Sequence, residues 1–327
     1  MKFESYREVK RLKMLKNFGF SKEIKFDQIT IPKLKIKKSS CAIFLAQKDD
    51  ICFCGLPKIE HENSTPKKWD PEMCITENFD TDAYGEIHFQ NRDNRSKYIR
   101  VGQFTNMEKM MQLLFKVWSL EPPKLIISVT GGAKDFNLKT KLKNAFKRGL
   151  VKAALSTNAW ITSGGTNVGV MKYVGEAIAS ASLDPNRKLV VLGIANWGTL
   201  ANREQLIRDR NTTSTLEYTI SSTKIKNNTF LDMNHSHFVL VDNGLYGVFG
   251  GEVKFRAKLE RQIANYRINN RAQIVVLVLS GGENTISTVL NSVKNGSPCV
   301  FIEILYILNI MRPNNPQKLL ILPSMSI

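Results

Sequence analysis

Three strand-like runs in this 327-residue chain end at paired glycines and resume at helical spacing. Leu125 to Val129 leads into Gly131–Gly132, Ala159 to Thr162 into Gly164–Gly165, and Ile274 to Leu279 into Gly281–Gly282. Strand, glycine turn, helix is a layout that holds phosphate. Glycine lets the backbone approach closely, and the first N–H groups of the next helix have no intrahelical partner. Thr130, Ser163 and Thr166 add hydroxyls at the same edge, and Asn196-Trp197-Gly198 closes a further strand, Leu189 to Ile194. Any one of these turns is equally an ordinary connection in which glycine serves a positive φ. Their convergence at strand ends is what points to a single nucleotide-type site.

The elements that position these turns alternate. Apolar runs at Leu125, Ala159, Leu189, His237, Ile274 and Cys299 are separated by helix-period stretches, among them Glu252 to Tyr266 and a run ending at Lys294. Uninterrupted apolar strands between helices imply an α/β fold, a doubly wound, mainly parallel sheet with helices on both faces. Met107, Met110, Met111, Leu114 and Trp118 share one helical face and are expected in the core, and Pro122–Pro123 ends that helix. Residues 80–101 read as polar loop with short strands and a turn at Ala83-Tyr84-Gly85, and residues 209–229 as a polar surface insertion. Asp184-Pro-Asn-Arg187 is a further turn and residues 242–251 a glycine-rich loop. No GxGxxG followed by a distant acidic residue is present, which disfavours a standard dinucleotide fold, and no GxxxxGK[ST] is present, which excludes a P-loop NTPase.

With 43% hydrophobic residues the chain can bury a sizeable core. Its 47 Lys and Arg against 29 Asp and Glu leave a net +18, which favours anionic partners. The basic residues are dispersed and not interleaved with aromatics, so no specific nucleic-acid partner is expected. The first 38 residues hold twelve Lys/Arg and four Asp/Glu. A capping box at Ser5 to Glu8 opens a basic amphipathic helix there, expected to pack on its own domain rather than on lipid or a partner subunit. Five irregularly spaced cysteines and no leader segment argue for a reducing, cytosolic setting, and no run approaches the roughly 20 apolar residues of a membrane span. Cys52-Phe-Cys54, His61 and Cys74 offer metal-binding side chains, but the first pair is one residue tighter than a CxxC, so no metal is expected and no cofactor is required.

Taken together, CFCG, DAYGEIHFQN, LIISVTGGAKDF, ITSGGTNVGVMKYVGEA, LGIANWG, NHSHFVLVDNG, FGGEVKFRAKLE, VLVLSGGENTI and NGSPCV closely resemble the amino-terminal cytosolic region of melastatin-type TRP (TRPM) cation channels. The resemblance covers roughly residues 40–303 in order, and divides the chain into a basic segment (1–38), a SLOG-type domain (39–303) and a divergent tail (304–327). It implies a Rossmann-like SLOG fold and a regulatory, ligand-sensing and assembly module of a homotetrameric, calcium-permeable channel, lying on the cytosolic face of the membrane. The chain alone would be soluble and cytoplasmic. It also implies ADP-ribose or a related nucleotide as ligand, lined by Gly131, Gly132, Gly164, Gly165, Thr166, Gly281 and Gly282. Arg256 matches an arginine that contacts nucleotide in the family, where its fork suits a pyrophosphate; the competing reading is a solvated helical residue. Relatives continue after the last strand with an EGSGR-like segment that this chain lacks, so a truncated gene model or short isoform is expected.

SLOG relatives also include phosphoribohydrolases, whose PGGxGTxxE loop ends in a catalytic glutamate. The corresponding stretch here, Ser280 to Thr288, carries threonine at that position, and Thr288 has no carboxylate for acid–base work. Glu176 is the nearest alternative, with an exposed or capping role expected. The chain is therefore expected not to be an enzyme.

Overall fold

The computed structural model describes residues 31–302 except 49, 62–69, 91–94, 182–188, 209–214, 222–226 and 268. The basic helix expected from Ser5, the turn at Asp184 to Arg187 and the tail from 304 lie outside the described residues. The remainder is built on one nine-stranded sheet. Its strands, in chain order, are β1 (Tyr84–Phe89), β2 (Arg95–Gly102), β3 (Leu125–Gly131), β4 (Ala159–Ser163), β5 (Val191–Asn196), β6 (Leu216–Tyr218), β7 (His237–Asp242), β8 (Gln273–Leu279) and β9 (Cys299–Ile302). Across the sheet they run β6-β1-β2-β7-β5-β4-β3-β8-β9. All neighbours are parallel except the β1–β2 hairpin, so the sheet is α/β and mainly parallel, as expected.

Among the described residues five helices of six residues or more cover it: α1 (Met107–Gln112), α2 (Thr140–Thr157), α3 (Gly169–Ser180), α4 (Val253–Ala264) and α5 (Glu283–Lys294). Their placement follows from the right-handedness of parallel crossovers. The chain steps in one direction from β3 to β4 to β5, which puts α2 and α3 on one face. It steps in the other from β2 to β3 and from β7 through β8 to β9, which puts α1, α4 and α5 on the opposite face. Alternating β3 residues divide accordingly. Ile126 joins the core under α1 and α4, and Ile127 and Val129 join the core under α2 and α3. Met107, Met110, Leu114 and Trp118 lie in the first of these cores, although the helix widens to a π-turn over Leu113–Val117 before the prolines. Ile31 and Ile36 are buried there as well.

Two readings of the polar segments are corrected. Residues 84–102 form the β1–β2 hairpin within the main sheet, and Tyr84 and Gly85 lie in β1 rather than in a turn. The polar composition had hidden an alternation in which Ile87 and Phe89 point to a core and Glu86 and His88 away from it. The stretch 209–229, expected on the surface, supplies edge strand β6, with Tyr218 fully buried against Phe89.

The second glycine turn shows why glycine is needed. Gly165 has φ +68°, and a Cβ there would lie 2.7 Å from the Cα of Gly193 in β5, with Phe238 of β7 immediately beyond. The pair Gly165/Gly193 lets the turn after β4 sink onto the neighbouring strand. Gly165→Val should destabilise the fold by about 3 kcal/mol or more, from left-handed backbone strain and overpacking together. Urea denaturation monitored by circular dichroism measures this; an unchanged midpoint would show that the contact is slack.

Candidate functional site

The strand order reverses between β3 and β8: β4 and β5 lie to one side of β3, β8 and β9 to the other. Loops leaving these strands diverge, and in open α/β sheets ligand crevices form at that point. A cavity of about 620 Å³ opens there, bounded by the end of β3 and by Ile274 and Val276 of β8, and running between α4 and α5. Its size falls within the usual range of small-molecule sites, about 300–1,000 Å³.

Six of the twelve expected site residues line it: Thr130, Gly131, Gly164, Thr166, Asn196 and Arg256. Gly131 requires its lack of a side chain. It sits at φ +156°, and a Cβ would fall 2.0 Å from the Leu279 carbonyl oxygen. Gly281 and Gly282 lie just outside the lining, in the turn that delivers Thr285 to the cavity, where Thr285 Oγ1 donates to the Gly131 carbonyl at 3.2 Å.

Several expected residues, Asn196 of the lining among them, are committed to the fold. Gly132 accepts the Val170 N–H with its carbonyl at 2.9 Å, and Asp135 Oδ1 takes the Gly169 N–H at 3.3 Å. The first turn thus caps the very helix whose free N–H groups were expected to meet an anion. Trp197 is buried beneath the Arg100 guanidinium, 4.4 Å from its ring centroid. Asn196 holds the loop 242–251, donating from Nδ2 to Val248 at 2.8 Å and accepting the Gly198 N–H at 3.0 Å.

Ser163 is fully buried. Its Oγ lies 2.7 Å from His235 Nε2, and His235 Nδ1 lies 3.1 Å from Asp232 Oδ1. Serine, histidine and aspartate in that sequence are the order of a hydrolytic triad. Here all three are at most 3% exposed, none borders the cavity, and Ser163 Oγ also accepts the Gly165 N–H at 3.0 Å. The set braces the second glycine turn.

Arg256 is not a solvated helical residue. Its Nε donates to Glu260 Oε1 at 2.8 Å, and its Nη2 to Ser128 Oγ at 2.9 Å and to the Val129 carbonyl at 3.0 Å. Glu260 Oε1 also accepts from Ser128 Oγ at 2.9 Å and from Thr162 Oγ1 at 2.6 Å. Among the described residues the Arg256 Nη1 group has no hydrogen-bond partner, so the guanidinium is anchored by two nitrogens and keeps donors on the third. Lys254, Lys258 and Arg261 border the same cavity and make its field positive. Glu252 borders it too; burial pushes its carboxyl up from the usual range, and Oε2 is buried with no hydrogen-bond partner among the described residues. Phe249, 54% exposed, stands at the rim.

Ser128, Glu252 and Glu260 were missed in the sequence. The available signals were a serine inside an otherwise apolar strand and the i, i+4 spacing of Arg256 and Glu260. Glu176 pairs with Lys143 at 2.6 Å, tying α3 to α2.

A family model described as SLOG in TRPM matches residues 96–304. The chain belongs to that family. The chain is 41% identical over 290 residues to transient receptor potential cation channel subfamily M member 2 of Mus musculus, a match covering 82% of this chain and 19% of that protein. It is 38% identical over 285 residues to a subfamily M member-like 2 protein of Nematostella vectensis, covering 81% and 18%. Against subfamily M member 7 of Homo sapiens it is 40% identical over 248 residues, covering 73% and 13%. The chain therefore spans less than a fifth of the length of these relatives. Among the described residues no helix is long and apolar enough to cross a membrane.

Within this SLOG domain one carboxylate joins β3, β4 and α4. Glu260→Ala would leave Ser128 and Thr162 without their shared acceptor and Arg256 without its counter-ion, costing about 2–4 kcal/mol. The urea midpoint should fall accordingly; if it does not, the network is not what seats α4.

Proposed function

We propose that this SLOG domain is the ligand-sensing and assembly module of a TRPM-type, calcium-permeable cation channel, working at the cytosolic face of the membrane with other TRPM subunits in a homotetramer. Its cavity takes ADP-ribose or a related nucleotide and releases it unchanged. The observation that carries this reading is the Arg256 guanidinium, anchored through Nε and Nη2 at the ends of β3 and β4 and keeping free donors in a cavity rimmed by lysines. A pyrophosphate is matched by such a fork. In the same reading the buried Glu252 carboxyl meets a ribose hydroxyl, and Phe249 offers a face on which a base can stack.

The domain binds rather than hydrolyses. Thr288 borders the cavity where the phosphoribohydrolases have their glutamate. The buried Ser163-His235-Asp232 set has no route to a ligand, and Glu176 is engaged with Lys143.

Calorimetry with ADP-ribose tests the proposal. Arg256→Lys keeps the charge but loses the anchored fork, and should weaken binding by about 1.5–3 kcal/mol, the scale of a charge-assisted hydrogen bond. Recovered ligand should be intact by chromatography. Absence of heat with the wild-type chain would overturn the ligand assignment, and release of ribose 5-phosphate from nucleoside monophosphates would overturn the non-catalytic one.

A further inference from the structure

Outside the main sheet, the described residues between 40 and 76 form a small unit of their own. Ser40–Cys41 pairs antiparallel with Ile75–Thr76, and Ala46–Lys48 pairs antiparallel with Ile51–Cys52. The second hairpin folds the chain back so that Cys41 and Cys52, eleven residues apart in sequence, stand with their sulfurs 3.8 Å apart. A tight turn follows, closed by the Gly55 N–H donating to the Cys52 carbonyl at 2.8 Å, with Gly55 at φ +87°. That turn presents Cys54, and the 3-10 turn Lys58–Glu60 returns His61, whose Nε2 lies 3.2 Å from Cys54 Sγ. The four donor atoms of Cys41, Cys52, Cys54 and His61 all lie within 4.8 Å of one another. Cys74 is buried, with its backbone carbonyl bonded to the Ala42 N–H, but its thiol is not in this group; Cys41 stands there in its place among the side chains considered from sequence, where no metal was expected.

We propose that these three cysteines and one histidine form a structural zinc site. A zinc ion about 2.3 Å from each sulfur, in a tetrahedron, spaces its sulfurs about 3.8 Å apart, the separation of Cys41 and Cys52. Three sulfurs and an imidazole with no carboxylate favour zinc over calcium or magnesium, and four protein ligands leave no open position for chemistry. The surroundings complete the case. His61 Nδ1 faces the Pro57 carbonyl at 2.9 Å; a carbonyl only accepts, so Nδ1 carries the hydrogen and Nε2 presents its lone pair to the cysteines. The Leu45 N–H donates to Cys52 Sγ at 3.4 Å, the kind of bond that stabilises a thiolate. On binding, each thiol gives its proton to the buffer as the sulfur–zinc bond forms, and the neutral imidazole coordinates without proton loss. The narrow CxC spacing works because Cys41 and His61, not a second CxxC, supply the remaining ligands.

The test uses the whole 327-residue chain, purified reduced and without a metal-binding tag. Elemental analysis after dialysis against a weak chelator should find one zinc per chain. Cobalt(II) added to stripped protein should give thiolate-to-cobalt charge transfer and the intense visible bands of tetrahedral coordination. Cys54→Ser and His61→Ala should abolish retention, whereas Cys299→Ser, distant from the cluster, should retain the full complement. If the cluster variants do not fold, alkylation of the wild-type chain decides instead. Cys41, Cys52 and Cys54 should be protected with zinc and modified after chelation. Equal modification in both states, a reduced chain that retains no zinc, or an octahedral cobalt spectrum would each overturn the site.

Discussion

The structure depends on a single carboxylate oxygen. Glu260 Oε1 sits where β3, β4 and α4 meet and accepts from Ser128, Thr162 and Arg256 within 2.9 Å. A carboxylate 6% exposed would be costly if unpaired. Paired in this way, it converts a generic helix-on-sheet contact into a specific one, because sliding α4 by a turn would separate Glu260 from Ser128 and Thr162, and Arg256 from Ser128 and Val129, at once. It also sets the direction of Arg256. The guanidinium cannot swing into solvent without leaving Glu260, so the cavity floor is rigid before any ligand arrives, and preorganisation of this kind lowers the ordering cost of binding.

The alternation of buried strands and helices was readable because it follows from composition. Strands covered on both faces are apolar throughout, and β3, β4, β5, β7, β8 and β9 all announce themselves in this way. Strands β1, β2 and β6 were not readable on the same terms. They lie toward one end of the sheet, carry polar residues on one side, and, beyond the local β1–β2 hairpin, take their other partners from far away, as when Leu216 pairs with Ile87 and His237 with Lys97. Register across such a distance leaves little trace in local sequence.

The glycine turns were legible as positions, and their shape alone does not assign them a role. Gly131, Gly165 and Gly193 are glycines because backbone from another strand occupies the space a Cβ would take, a constraint that holds with or without a ligand. The helix N-terminus after β4, in principle an anion site, is already satisfied by Gly132 and Asp135. What distinguishes the cavity from an ordinary strand-end crevice is instead a set of side chains brought in on α4 from more than a hundred residues away: Lys254, Arg256 and Lys258. Sequence motifs centred on glycine cannot register that contribution, because it depends on which face the β7-to-β8 crossover takes.

The unit built by residues 40–76 joins the cavity through one loop. Phe53 accepts the Tyr246 N–H at 2.8 Å, and the Tyr246 side chain packs over Gly55, where a Cβ would fall 2.7 Å from the ring. The same loop is tied to the sheet by Asn196 at Val248 and by the Gly247 N–H at Gly198. Held from both sides at 246–248, it leaves Phe249 and Gly250 facing the cavity. Loosening the cysteine-rich turn therefore removes one of the restraints on the segment that forms the cavity rim, the Phe53–Tyr246 contact. Geometry thus places the loop 246–250 between the cysteine-rich turn on one side and the cavity on the other.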